Sequence, residues 1–250
     1  MKKSILIIAA ASLLAVSCDL DKKPLANLSP DSFFSTRSEL DAFANNFYSI
    51  FPAGSIFEEE SDLIIKNDRS EWMRDGRSVP GSGGGWTWTY LRDFNTLIEL
   101  SSNCQDENVR NEYIGVARFF RALYHYELVK TYGDVVWVDS EVDFSKQENV
   151  TRPRDSRVTV MDNVVADLEF AMNNCLEPSK AGANTVNNMV AAALLSRVAL
   201  YEGAWEKYHK LSNGHPDQFY AKAKEAANKV ISSGKYEISD NYKTMYNSLS

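Results

Sequence analysis

The stretch NEYIGVARFFRALYHYELVKTYGDV, residues 111–135, decides the fold. Its spacing predicts a helix that is apolar on almost every side. Tyr113, Ala117, Phe120, Tyr124 and Leu128 form one stripe at steps of three and four, and Phe119, Leu123 and Tyr126 widen it. Only Arg118, Arg121 and His125 interrupt, at i, i+3 and i+7, so they share one narrow face. A helix apolar nearly all round is packed on several sides, which places this one inside a helical assembly. Its three polar residues then read as salt bridges and caps within the stack. Gly133 ends the helix as a glycine just past a C-terminus does, and the VVWV run at 135–138 reads as extended.

Working outward, TRSELDAFANNFYSIF at 36–51 opens with Thr36 and Glu39 in a capping-box pair. Leu40, Phe43, Phe47 and Ile50 follow at helical spacing. Residues 52–85 hold no sustained period; FEEESD, RSEWMRDGR and PGSGGG mark a long loop, and such loops are often functional. A second helix is predicted from near Trp88 through YLRDFNTLIELSS, burying Leu91, Phe94, Leu97 and Ile98, with Trp88 and Tyr90 also expected inward. SRVTVMDNVVADLEFAMNNC at 156–175 turns Met161, Val164, Leu168, Ala171 and Cys175 inward and is expected to stop near Pro178. NMVAAALLSRVALYEGAWEKY at 188–208 is rich in alanine, which lets helix backbones approach closely. PDQFYAKAKEAANKVISSGKYEI at 216–238 puts Tyr220, Ala223, Ala227, Val230 and Ile231 on one side, with Gly234 as its stop. The last two segments read as an antiparallel hairpin, the second loosely of tetratricopeptide type. The fold class is therefore all-α: a right-handed, tetratricopeptide-like stack of helix pairs with long loops.

The N-terminus is of another kind. Lys2 and Lys3 precede ILIIAAASLLAV at 5–16, a run too short to span a bilayer, which needs about 20 apolar residues. A charged start, a short apolar core and small residues at its end make a secretory signal. AVSC places Ser17 before Cys18, which resembles the lipobox of bacterial lipoproteins. That resemblance implies cleavage before Cys18 and lipidation of its sulfur and new amine; several acyl chains together anchor durably. The expected organisation is a lipoprotein signal peptide over 1–17, a lipidated tether over 18–28 and a helical domain over 29–250.

Composition agrees with a globular domain: 250 residues, 44% hydrophobic and 24% charged. The formal charge of −7 becomes −9 once Lys2 and Lys3 leave with the signal segment, and an acidic chain does not suggest nucleic acid as a partner. Cys104 and Cys175 could pair in an oxidising compartment. Two cysteines in a domain this size are no disulfide framework, and the reading favours free, buried thiols. Catalytic patterns are missing. Three histidines, His125, His209 and His215, make no HExxH, there is no CxxC or GxSxG, and PGSGGG lacks the lysine of a phosphate-binding loop. Glu58, Glu59, Glu60 and Asp62 could supply an acid/base pair or a calcium site, but a charge run is ordinarily a solvated loop. No enzyme, cofactor or metal is expected.

VARFFRALYHYELVKTYGDV resembles the signature helix of the SusD/RagB family of outer-membrane nutrient-binding lipoproteins. PDSFFSTRSELDAFANNFYSIF resembles the family's opening helices, and WTYLRDFNTLIE its tryptophan–arginine–asparagine helix, carried here by Trp88, Arg92 and Asn95. RPRDSRVTVMDNVVADLEFAM, AAALLSRVALYEGAW and YAKAKEAANKVISSGKYEI follow in the family's order. The resemblance covers residues 18–246. One departure stands out: the family usually has proline after the glycine–aspartate pair, where this chain has Val135, Val136 and Trp137. The resemblance implies a SusD-like α/α superhelix on the cell-surface face of the outer membrane. It implies capture of oligosaccharide for a SusC-like TonB-dependent transporter, and no catalysis. A peptide-capturing member of the family, or a helical scaffold with no small ligand, is the alternative. Asp19 and Asp21 fit the acidic export signal of surface lipoproteins. Family members are longer, so the helical domain is expected to be truncated at its C-terminal end.

Sugars present apolar C–H faces and a ring of hydroxyls, so binding them takes flat exposed aromatics beside planar hydrogen-bonders. The long loop supplies Trp72 with Asn67, Arg69 and Arg74, and Trp86 follows the glycines. These five residues are the sequence's candidates for ligand contact, and Cys18 is its candidate for lipidation. Replacement of Cys18 by alanine is expected to abolish the anchor, because acyl attachment needs the thiol. Labelled palmitate should appear on the parent and not on Cys18→Ala; equal labelling of both refutes the lipoprotein reading.

Overall fold

The structure, a computed structural model, describes residues 33–51, 87–143, 145–241 and 243. The expected signal peptide and tether, and the 52–85 loop, lie outside the described residues. The chain forms α1 (Arg37–Ala44), α2 (Thr89–Leu100), α3 (Glu107–Tyr132), a short α4 (Gln147–Val150), α5 (Arg157–Asn174), α6 (Asn188–His209) and α7 (Pro216–Ser232). The all-α helical-repeat reading stands, and no strand occurs among the described residues. The run at 135–138 contributes one isolated antiparallel bridge, Val135 to Asp155.

Most helix starts are set locally, by a side chain that takes up backbone N–H groups left over in the first turn. At α1 the capping box forms as read: the Thr36 hydroxyl accepts from the Glu39 N–H and Glu39 Oε2 from the Thr36 N–H. Asp106 accepts from the N–H groups of Asn108 and Val109 at α3, Ser156 from Thr159 at α5, and Asn187 from Met189 and Val190 at α6. α7 begins instead with Pro216, which needs no N–H there. At the far end of α3, Gly133 has φ of 75° and donates back to the Val129 carbonyl, a left-handed position that glycine takes without strain.

α3 is the centre. It packs on α1, α2 and α5, while α6 lies against both α5 and α7. Phe120 is fully buried and touches five other rings: Phe47, Tyr48, Phe51, Phe94 and Phe119. Small residues set the closest approaches. A methyl group at Gly115 would meet Cys175 Sγ at 3.0 Å, and one at Gly203 would meet the Tyr220 ring at 3.0 Å, so α3 and α5, and α6 and α7, run nearly backbone to backbone at these points. Cys104 and Cys175 are free and buried, and burial pushes the Cys175 thiol up to about 12.

The structure corrects three local expectations. The face of Leu40, Phe43, Phe47 and Ile50 does not lie on one α-helix; α1 ends at Ala44 and tightens into a 3-10 turn, Asn45–Ile50, which swings Phe47 onto Phe94. α5 stops at Asn174 rather than near Pro178, because Cys175 turns to extended backbone and points its sulfur at Gly115. The buried side of α7 is Phe219, Ala223 and Ala226, rotated from the stripe read in sequence. Ile231 on that stripe is 73% exposed; α7 packs chiefly on α6 and reaches α5 through long side chains, Lys222 to Glu169 and Lys229 to the Met172 carbonyl, so it needs a narrower apolar face.

Phe120→Ala removes the ring at the hub of this cluster, and truncating a buried phenylalanine typically costs about 3–5 kcal/mol. The unfolding midpoint in urea should fall by that equivalent, against little change for Lys224→Ala on the exposed side of α7. Equal midpoints for the two variants would remove α3 from the centre of the fold.

Candidate ligand-binding site

The site is built from the interior outward, starting with the polar face of α3. Arg121 is buried and donates through Nε and Nη2 to the two oxygens of Asp167 on α5, at 2.7 and 2.8 Å. Its Nη1 donates to Asn95 Oδ1 on α2 at 2.8 Å and to the Asp139 carbonyl at 3.0 Å. Asn95 in turn donates from Nδ2 to the carbonyls of Val138 and Ser140, both at 3.2 Å. His125, one turn after Arg121, accepts the Val138 N–H at Nε2, so its proton sits on Nδ1 and is donated to the Arg121 carbonyl at 2.9 Å. Three buried side chains from two helices, Asn95, Arg121 and His125, thus clasp the extended segment 135–142 through residues 138–140, with Asp167 on α5 fixing Arg121. Asp155 completes the hold: its carboxylate accepts the Trp137 N–H at 2.8 Å and pairs with Arg152 at 2.8 Å.

Arg118, the third member of the polar face, lies over the Phe170 ring and 3.8 Å from Asp167. The expectation that Arg118, Arg121 and His125 serve structural pairs and caps is met. Burial pushes the Asp167 carboxyl up, opposed by its bonds to Arg121. Burial also holds His125 down at about 4, against the pull of its bond to the Arg121 carbonyl.

The clasped segment forms one wall of a cleft of about 280 Å³ lined by Trp88, Val136, Val138, Ser140, Glu141, Val142, Asn149 and Arg152. Trp88, the residue before α2, lines the same cleft and is 37% exposed. A smaller hollow beside it adds Leu91 and Arg92. The Tyr124 hydroxyl donates to the Thr87 carbonyl at 2.7 Å and holds the chain just before Trp88. The cleft offers one large aromatic side chain, an apolar wall of three valines, and a hydroxyl, a carboxylate, an amide and a guanidinium around them. That mixture suits a ligand with apolar faces and many hydroxyls. A larger cavity lies toward the other end of α3. Among the described residues no group of three or more His, Cys, Asp or Glu side chains gathers as metal donors, and no helix is long and apolar enough to cross a membrane.

The residues singled out from sequence, Cys18, Asn67, Arg69, Trp72, Arg74 and Trp86, lie outside the described residues. The structure instead brings forward Trp88, which sequence reasoning turned inward. Its position explains the error: Trp88 precedes the first turn of α2, so the helical period that buries Leu91 and Phe94 does not extend to it. The one signal available was its neighbourhood, two residues after Trp86 at the end of the glycine-rich loop.

Comparison with known proteins follows the same line. The profile of the family SusD-like_3, described as starch-binding and associating with the outer membrane, matches residues 20–200. A SusD-like protein of Formosa agariphila is 27% identical, covering 83% of this chain and 45% of that relative. A SusD-like protein of Bacteroides ovatus is 22% identical, covering 98% and 47%. The chain thus spans about half the length of the curated relatives it matches. In the crystal structure of a SusD-like protein from Bacteroides fragilis, 88% of this chain superposes on 42% of that one, with a TM-score of 0.57 at 21% identity. A second crystal structure, of a protein with xylogluco-oligosaccharide, superposes on 64% of this chain with a TM-score of 0.50 at 20% identity.

The clasp makes stability depend on pH in a definite direction. An unfolded histidine titrates near 6.5, whereas folded His125 titrates at about 4. Between these values the unfolded chain binds more protons, so stability falls as pH drops from 6.5 toward 4 and is fully present above 6.5. The loss is on the order of 3 kcal/mol at the acid end. Urea denaturation at neutral pH and near pH 4.5 should show His125→Gln losing distinctly less stability than the parent over that interval. Equal losses would mean that His125 is already accessible to protons.

Proposed function

The chain belongs to the SusD-like family, and from that membership we propose that it captures oligosaccharide at the cell surface and passes it to a SusC-like TonB-dependent transporter in the outer membrane. Cys18 is the anchor in this reading, with 1–17 a cleaved lipoprotein signal, 18–28 the tether and the helical domain beginning near residue 29. One observation carries the ligand side of the proposal: an exposed tryptophan shares a cleft with a stretch of backbone pinned by three buried side chains. A wall held this firmly pays no ordering cost when ligand arrives, and preorganisation of that kind raises affinity. The family description names starch, and a protein of similar fold carries a xylogluco-oligosaccharide. Both supports favour a neutral glucan over a charged polymer.

In this reading Trp88 and the loop tryptophan Trp72 offer rings to the same glycan. Aromatic stacking on nucleobases is worth roughly 1–3 kcal/mol per base, and the same scale is expected for a sugar ring on Trp88. Titration of the full chain with maltoheptaose and with xylogluco-oligosaccharide, followed by calorimetry, should show Trp88→Ala binding about 5- to 150-fold more weakly, with an unfolding midpoint close to the parent's. Trp72→Ala is expected to weaken binding in the same range. Unchanged affinity for a glycan that the parent binds would remove the altered tryptophan from the site.

A further inference from the structure

A second, larger cavity lies away from Trp88. It measures about 590 Å³ and opens between α1, the first turns of α3, and the 176–186 connection from α5 to α6, a volume ordinary for a small-molecule site. Its floor is apolar, with Ala44, Val116 and Val186 buried. Its walls are held by three long-range ties. Arg37 donates to both oxygens of Glu112 at 2.8 and 2.7 Å, Tyr113 donates to Asp41 at 3.2 Å, and the Tyr48 hydroxyl accepts the Val186 N–H at 2.7 Å. Two of those ties leave hydrogen-bonding capacity over: Asp41 is exposed with acceptor positions to spare, and the Tyr48 hydroxyl proton meets no acceptor among the described residues. Asn45 and Lys180 stand exposed at the rim.

These features exclude some ligand classes. Arg37 and Lys180 oppose Asp41 and Glu112, so the charged lining is balanced and favours neither anion nor cation. The cavity opens to solvent and is rimmed by carboxylate, amide, ammonium and phenol groups above an apolar floor. What such a lining matches is a neutral molecule with one apolar face and several hydroxyls, which is a sugar ring. We propose that the cavity is a second carbohydrate subsite, seating one uncharged sugar unit against Tyr48 with its hydroxyls on Asp41, Asn45 and Lys180.

This rests on the carbohydrate reading of the Trp88 cleft but adds a separate contact. From Tyr113 at the cavity to Tyr124 behind Trp88 is about 16 Å along α3 at 1.5 Å per residue. One branched glycan, or two neighbouring chains of a polysaccharide, can engage both places, and simultaneous engagement raises the overall affinity.

The test uses the isotopically labelled full chain titrated with maltoheptaose and with xylogluco-oligosaccharide. Backbone amide shifts of Gly182, Thr185 and Val186 report the cavity, and tryptophan fluorescence reports the Trp88 cleft. The expected result is that both respond in the parent. The double variant Asn45→Ala with Lys180→Ala should weaken the response of the 182–186 amides at least tenfold and shift the fluorescence titration far less, by no more than the loss of joint engagement. Trp88→Ala should do the reverse. The altered residues of the double variant are surface-exposed, and an unchanged unfolding midpoint confirms that it is folded. Silent 182–186 amides beside a responding tryptophan overturn the second subsite alone. Silence at both places overturns the second subsite and the carbohydrate reading together. Amide shifts that persist undiminished in the double variant overturn the assignment of Asn45 and Lys180, and with it the proposed seating.

Discussion

Arg121 with Asp167 is the interaction on which the rest of the structure depends. Taking both charges out of water is expensive, and such a pair breaks even only with good geometry and with its remaining donors and acceptors satisfied. Here the fork is bidentate and the remaining Nη1 donor of Arg121 is shared by Asn95 and the Asp139 carbonyl. The pair therefore serves two purposes. It ties α3 to α5, and it orients the donors that hold segment 135–142. Replacing it with apolar side chains of similar volume could preserve the helix contact, but nothing apolar would hold three carbonyls and an N–H of that segment in place.

The same device recurs at each layer. Arg37 of α1 grips Glu112 of α3, Arg121 of α3 grips Asp167 of α5, and Arg157 of α5 grips Glu202 of α6. Each time the arginine lies on the earlier helix and the carboxylate on the later one. The first pair is partly exposed, and the other two are buried. Arg157 also covers the Trp205 ring at 4.1 Å. Helices whose contact faces are alanine, valine and leucine can slide along one another by a turn with little change in buried area. A forked pair allows one register, because guanidinium and carboxylate match only in one relative position. On this argument the apolar faces supply most of the stability of the stack and the clamps select its alignment. Among the described residues α7 carries no arginine fork; Lys222 pairs with Glu169 on α5, and glycine at 203 lets Tyr220 approach α6 closely.

The contrast between what sequence made legible and what it did not follows from the range of the interactions involved. Caps act within four residues, so Thr36 with Glu39 and the stop at Gly133 could be read directly. The all-round apolar surface of residues 111–132 announced a central helix, because periodicity is a property of one segment. Partner identity is not. Arg121 stood out as a charge on an apolar helix, but nothing near it in sequence pointed to Asp167, 46 residues away, or to Glu202 as the partner of Arg157. The rotation of the buried side of α7 has the same origin, since the width of a buried stripe depends on how many neighbours a helix meets. Trp88 was misread because the helical period was extended one residue beyond the helix that generates it. The loop candidates around Trp72 rested on composition rather than periodicity, which indicates the kind of chemistry present but not where it lies.

The buried position of α3 bears directly on binding. A long helix packed on three sides cannot bend or rotate without breaking the aromatic cluster around Phe120 and the Asp167 clamp at once. Features attached to opposite ends of it are therefore held at a nearly constant separation. The Trp88 cleft is attached near Tyr124 and the segment held by His125; the second cavity is attached at Glu112 and Tyr113. If both take sugar, the spacing between them is set by a rigid rod rather than by a flexible connection. A glycan whose own geometry matches that spacing then loses little entropy in meeting the second place after the first, while one that does not match gains nothing from it. Selectivity among polysaccharides of similar monomer composition would in that case come from linkage and branch spacing, which a single shallow cleft around one tryptophan cannot distinguish.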